Sequence, residues 1–206
     1  YTSYPTALQF EDFTQASYEH AIAHSQRADQ PLSLYFHIPF CSTLCYYCAC
    51  SKIVTRDKAK GVRYLEFLKQ EIALQARYFA GRAVTQLHWG GGTPTFLSDG
   101  QIADLMRTIR SHFNLVADAA GEFSIEIDPR TVDAVRIQAL RDVGFNRLSM
   151  GIQDFDPGVQ RAVNRVQSYD DTRDVIKAAR EAGFGSVSVD LIYGLPHQTL
   201  ATIANT

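Results

Sequence analysis

The chain contains no apolar run of the roughly 18 residues that a membrane-spanning helix needs, so no candidate span can be placed on it. Neither sign of charge dominates. The formal net charge is −2, which argues against general affinity for nucleic acid or an anionic membrane. Tyr1 to Phe10 lack the charged and apolar regions of a secretory signal. There is no internal repeat, low-complexity tract or charge block. Cysteine is missing from almost the whole chain: all 4 lie in one short stretch. A disulfide framework staples distant parts of a chain, so this distribution points instead to a reducing, cytoplasmic setting. What is left is 206 residues, 46% of them hydrophobic, enough for one domain with a real core, or a domain with a short extension.

Residues 1–31 read as that extension, with a short helix over 11–24, and residues 32–206 as the domain. A strand–helix alternation begins at residue 32. The expected strands are 32–38, 84–89, 123–128, 146–152 and 186–193. The expected helices are 62–79, 101–113, 132–143 and 170–182. Ile102, Leu105, Met106, Ile109 and Phe113 form one apolar stripe. Gly144 and Gly183 stand where helices stop. Such an alternation makes a parallel α/β sheet.

The strands alternate internally as well. Leu32, Leu34, Phe36 and Ile38 share one face; Ser33, Tyr35 and His37 share the other. Phe123, Ile125 and Ile127 oppose Ser124, Glu126 and Asp128, and Leu148, Met150 and Ile152 oppose Arg147, Ser149, Gly151 and Gln153. Val187, Val189 and Leu191 oppose Ser186, Ser188 and Asp190. A strand covered by helices on both sides would be apolar throughout. These strands call for helices on one face and something wet or ligand-filled on the other. A curled sheet, an open parallel β/α barrel with a polar lumen, meets both demands.

Two motifs fall at strand ends. Cys41, Cys45 and Cys48 form C-x-x-x-C-x-x-C directly after the first strand, and Cys50 follows. Soft thiolates in so tight a loop suit iron–sulfur or zinc. Cys50 is too close to Cys48 to reach the far side of one centre, so three ligands would leave a coordination position open. The next strand ends in Trp89-Gly90-Gly91-Gly92-Thr93-Pro94. Glycines there would let the backbone approach a ligand with no Cβ in the way. Both motifs lie at the C-terminal mouth of the sheet, where α/β folds build their sites.

This combination resembles the radical S-adenosylmethionine (SAM) enzymes. The resemblance narrows to the oxygen-independent coproporphyrinogen III oxidase (HemN) family through several stretches. They are Tyr1–Thr6, Tyr35-Phe36-His37-Ile38-Pro39-Phe40-Cys41, Cys50, His88–Thr95, Ile125–Arg130, Asn146–Phe155 and Asp190–Pro196. It implies a partial barrel of the radical SAM type and a 4Fe–4S cluster on Cys41, Cys45 and Cys48. SAM would chelate the open iron, and a 5′-deoxyadenosyl radical would form from it. The reaction implied is decarboxylation of two propionates of coproporphyrinogen III to vinyls, giving protoporphyrinogen IX in haem biosynthesis. Also implied are a reducing donor such as flavodoxin or ferredoxin, an electron acceptor, a monomer, and no nucleic-acid or membrane partner.

Carried over by position, Tyr35, Tyr47, Gly91 and Glu126 match contacts to the SAM on the cluster. Gly92, Thr93, Gln153, Arg165 and Asp190 match contacts to a second SAM, and Cys50 stands beside it. Cys50 and His37 are the candidate catalytic residues. Tyr35, Glu126, Gln153 and Asp190 also fall on the polar faces found independently of the resemblance.

The chain departs from the family at Tyr47 and Ala49, where Phe and Gly are usual. Ala49 at a site needing positive φ would cost about 1 kcal/mol. Family members also continue well past residue 206, so the sequence is expected to be a fragment. Blander readings stand beside these: a zinc knuckle for the loop, a buried Cys50, a hydrogen-bonded structural His37, a structural His88, and Asp128 as a helix cap. A haem chaperone of the same fold, or another tetrapyrrole-acting radical SAM protein, is the alternative function.

Overall fold

The computed structural model describes residues 6–25 and 30–206; Tyr1–Pro5, most of the Tyr1–Thr6 motif, lies outside the described residues. The chain divides into two units, Tyr1–Gln30 and Pro31–Thr206. In the first, a 3-10 turn at Ala7–Gln9 precedes helix α1, Gln15–Ser25. The sequence reading starts this helix at residue 11. It begins later because the Thr14 hydroxyl accepts the Ser17 N–H at 3.1 Å and so caps the first turn.

In the second unit the chain runs β1 (Leu32–Ile38), β2 (Phe40–Cys41), β3 (Ile53–Val54), α2 (Lys58–Ala76) and β4 (Ala83–Gly91). It continues through α3 (Asp99–His112), β5 (Asn114–Leu115), β6 (Glu122–Ile127) and α4 (Ala134–Val143). It finishes with β7 (Arg147–Gln153), α5 (Pro157–Ala162), α6 (Tyr169–Glu181), β8 (Ser186–Leu191) and α7 (Leu200–Asn205). The main sheet has the order β1-β4-β6-β7-β8, all parallel, with β5 beside the start of β4. At its ends β1 and β8 each have one partner, so the barrel is open.

The element boundaries follow from local chemistry. Helix α2 starts four residues ahead of the expected position because Asp57 accepts the Ala59 N–H at 3.0 Å. Ser98 and Gln101 form a capping box at the head of α3. Gly144, at φ 111°, closes α4 as expected. Helix α5, absent from the sequence reading, carries a legible start signal. Asp156 accepts the Gly158 and Val159 N–H groups, and Pro157 occupies the first helical position.

The apolar faces lie where the alternation puts them. Phe36, Ile38, Phe123, Ile125, Leu148 and Met150 are buried against Leu65, Leu68, Ile102, Leu105, Ile137 and Val175 of the helices. Helices α2, α3, α4 and α6 contact one another in that order along this face. The pattern fails only at β8, where Val189 is 43% and Leu191 57% exposed. At this sheet edge, among the described residues, no helix covers them. The opposite face carries Tyr35, Glu126, Ser149 and Asp190, and the site is built there.

Candidate metal and cofactor site

A cavity of about 600 Å³ opens at the C-terminal end of the sheet. Cys41, Cys45, Cys48 and Cys50 all line it, and all four are free thiols. The loop that bears them is tied down at both ends. Parallel pairing of β2 with β3 closes it on itself, with Ile53 N–H to Pro39 O at 2.7 Å and Thr55 N–H to Cys41 O at 2.8 Å. On the far side, residues 163–165 grip it. Tyr46 N–H donates to Val163 O (3.0 Å), Asn164 Nδ2 to Leu44 O (2.7 Å), and Arg165 Nη1 to Cys45 Sγ (3.6 Å). Asn164 reaches this position at φ 54°, a conformation asparagine tolerates better than most residues. Ala49 does not have positive φ, so the strain expected there is absent.

Burial pushes the Cys41 thiol up; the Thr93 hydroxyl, 3.6 Å from its sulfur, opposes this, while Cys48 and Cys45 reinforce it. Burial likewise raises the Tyr47 phenol, against the nearby Arg165 cation. A thiol held protonated by its surroundings becomes a thiolate when a metal supplies the missing positive charge. Among the described residues, no set of three or more His, Cys, Asp or Glu side chains converges on one point as a single ion requires. The three sulfurs border the opening of the cavity.

The glycine run also makes room for neighbouring protein. A Cβ at Gly91 would lie 2.4 Å from the His37 ring, and one at Gly92 2.7 Å from the backbone of Pro39 and Phe40. At Gly90 it would meet the Glu126 carboxylate at 2.9 Å. The missing side chains therefore make room for neighbouring protein, and Gly91 also needs its φ of 108°. Gly91, Gly92 and Thr93 still reach the cavity wall. Glu126 is anchored there, with Oε2 accepting the Gly91 N–H at 3.2 Å and Oε1 3.1 Å from His88 Nε2.

Most of the residues singled out in the sequence come together. Tyr47, Gly91, Gly92, Thr93, Glu126, Gln153, Arg165 and Asp190 all line the cavity. Gln153, at φ 69°, follows an irregularity in the β7–β8 register that turns its side chain inward. Gln153 Oε1 and Arg165 Nε are buried in this wall without hydrogen-bond partners, a cost that a polar guest would remove.

Two residues stand apart. Tyr35 and His37 do not line the cavity. The Tyr35 hydroxyl lies 2.9 Å from His37 Nδ1, and His37 Nε2 lies 2.7 Å from the Ser51 carbonyl. His37 thus links β1 to the exit of the cysteine loop. In this geometry both His37 ring nitrogens are engaged by protein groups. Tyr35 stacks on His88, and burial, followed by the charges of Glu126 and Cys50, raises its phenol.

Sequence reasoning undervalued Asp128. Beyond capping the turn at Pro129–Thr131, it lines the cavity, is 8% exposed and takes Arg130 in a two-pronged ion pair. Burial works against its charge, but the Arg130 and Arg165 guanidiniums outweigh this and hold the carboxyl below the usual carboxylate range. The signal for this was a carboxylate and an arginine two residues apart at a strand end.

Known proteins show the same arrangement. The family model described as the radical SAM superfamily matches residues 35–206. Oxygen-independent coproporphyrinogen III oxidase of Escherichia coli (strain K12) is 54% identical over 207 residues, covering 100% of this chain and 44% of that protein. The Pseudomonas aeruginosa protein of the same name is 50% identical over 211 residues, covering 100% and 45%. The chain thus spans less than half the length of these relatives. The solved structure of coproporphyrinogen III oxidase (HemN) from Escherichia coli, titled a radical SAM enzyme, superposes with TM-score 0.93 at 52% identity, over 100% of this chain and 47% of that one. A radical SAM methyltransferase from Kitasatospora setae shares the fold at TM-score 0.54 and 17% identity, covering 84% of this chain and 33% of that one. The family's 4Fe–4S cluster and SAM fit the three free thiols and the partnerless polar atoms of the cavity wall. The chain belongs to the radical SAM superfamily.

Proposed function

We propose that this chain carries the cofactor-bearing part of an oxygen-independent coproporphyrinogen III oxidase. The reaction would convert two propionates of coproporphyrinogen III to vinyls and yield protoporphyrinogen IX. The observation that carries this reading is end-to-end similarity of 50–54% to proteins of that name, with every cysteine and most of the matched residues on one cavity.

Cys41, Cys45 and Cys48 would hold the cluster, and Tyr47, Gly91 and Glu126 the SAM beside it, with Tyr35 behind them. The cluster and SAM together supply a one-electron route to hydrogen abstraction from an unactivated C–H bond. The protein's own part is positional. Glu126, fixed by Gly91 N–H and His88, presents a carboxylate edge to an amine or a ribose hydroxyl. Gly92, Thr93, Gln153, Arg165 and Asp190 would hold a second SAM. Cys50, exposed at the rim, would exchange a proton or hydrogen with whatever enters. The electron would come from flavodoxin or ferredoxin and leave to an external acceptor, in a cytoplasmic monomer. No helix among the described residues is long and apolar enough to cross a membrane.

The test is anaerobic. Protein reconstituted with iron and sulfide is given reductant, SAM and coproporphyrinogen III. Formation of 5′-deoxyadenosine together with protoporphyrinogen IX supports the reading. Zinc uptake without iron, or haem binding with no vinyl product, sinks it.

A further inference from the structure

The three cluster thiols do not have equivalent surroundings. The Cys41 sulfur faces a neutral donor, Thr93 Oγ1, at 3.6 Å. The Cys45 sulfur faces cations: Arg165 Nη1, also at 3.6 Å, and the Arg130 guanidinium, which is itself tied up in its ion pair with Asp128. Arg165 is only 8% exposed, and its other contacts leave it little freedom. Nη2 donates to the Gly151 carbonyl at 2.8 Å and stands 3.8 Å from Asp128 Oδ1. Its backbone N–H is held by Gln160 O at 2.9 Å. The residue just before it, Asn164, is bonded to Leu44 of the cysteine loop, so guanidinium and sulfur are set against each other by the backbone on both sides.

The geometry points to Arg165 as a residue that raises the reduction potential of a cluster on Cys41, Cys45 and Cys48, acting through the Cys45 sulfur. The inference rests on the iron–sulfur reading above. Its physics is that of charge in a dry site. A 4Fe–4S centre with three thiolates takes up one electron from a low-potential donor and gains one negative charge. A cationic hydrogen-bond donor on a ligand sulfur stabilises the more negative form more, so it raises the potential. Burial keeps water from screening this effect. Asp128 lowers the cost of burying the arginine and, with Gly151, aims it. Arg165 is thereby a positioning and tuning residue for electron entry, a role separate from the SAM contact implied by family resemblance. The two roles part company when SAM is absent, because a SAM contact has then nothing to act on.

The experiment is a redox titration of the anaerobically reconstituted protein without SAM, followed by electron paramagnetic resonance. It uses wild type, Arg165→Met and Arg165→Lys. A hydrogen bond to a charged group is worth enough to predict a roughly tenfold fall in the ratio of reduced to oxidised cluster for Arg165→Met at the potential that half-reduces wild type. For a one-electron couple that is a midpoint lower by about 59 mV. Arg165→Lys should fall between the two, and loss of the donor should raise the Fe–S(Cys) stretching frequency seen by resonance Raman. The ratio is read per cluster, so reduced iron uptake in a variant does not blur it. Midpoints and stretching frequencies equal to wild type in both variants overturn the inference while leaving the site reading intact. Failure of the wild-type chain to assemble any cluster overturns both.

Discussion

The two faces of the sheet are specified in different ways. The helix-covered face is made of residues whose burial can be read from alternation: Ile125, Leu148 and their neighbours touch helices only because every second position is apolar. The cavity face is held by polar bonds between residues up to 120 positions apart, such as Arg165 to Cys45 and Asn164 to Leu44. Packing on the first face is non-directional and tolerant of small changes in volume. On the second the bonds are directional, and losing one can strand a buried polar group. Damage to the first face should therefore lower stability alone, while damage to the second should also cost the cluster.

The largest effect is expected at Asp128. Its removal leaves Arg130 and Arg165 without a counter-charge at a buried site, and breaking such a pair costs about 3–5 kcal/mol. For Asp128→Ala, urea unfolding should show that loss, with iron uptake falling beside it. Wild-type stability with intact iron uptake would mean that the two faces are not distinct in this way. The pair also has a pH signature. The Asp128 pKa is lowered in the folded chain, so its stabilisation is present above the unfolded carboxyl value, about 3.9. It is lost as pH falls further, through the folded value. Wild type should lose its advantage over Asp128→Asn only below about pH 4.

Gly91→Ala comes next. The alanine would have to keep φ at 108° and push the His37 ring from 2.4 Å, at a cost of about 2–3 kcal/mol. The ring could yield only by breaking its bonds to Tyr35 and Ser51. Thermal unfolding and the fluorescence of Tyr35 would report both events, and an unshifted midpoint would show that the strand end is looser than drawn. On the other face, Ile125→Val removes one methyl from a fully buried position and should cost about 1 kcal/mol with no change in iron per chain.

What the sequence revealed follows the same division. Alternation and helix stripes were enough to place all five long strands, four long helices and the face that looks into the cavity. Its position directly after the first strand put the cysteine loop at the mouth. That the glycines also make room for His37 was not legible, because a glycine that admits a ligand and one that admits His37 look the same in one dimension. Nor was the docking of residues 163–165 onto the loop, which depends on a turn after α5 that no periodicity announces. Asp128 looked like a cap, although Arg130 two residues on signalled an ion pair; its second partner, Arg165, lies 37 positions away. The exposed face of β8 was misjudged for a related reason: alternation says which residues share a face and nothing about whether a helix comes to cover it.

The smallest expected effects sharpen the contrast most, because they match two single bonds of similar strength. Ser98→Ala removes one bond of the capping box at α3, on the helix-covered side, and should cost about 1 kcal/mol. Asn164→Gly keeps the positive φ that this turn needs but deletes the 2.7 Å bond to Leu44 O, again about 1 kcal/mol. Denaturant midpoints for the two variants should be nearly equal. Iron and sulfide per chain after identical reconstitution should not be: Ser98→Ala should match wild type, and Asn164→Gly should fall short, because only the second bond fixes the loop on which Cys45 is mounted. Equal iron contents would mean that the β2–β3 pairing and Cys45's own contact with Arg165 are enough to hold the loop.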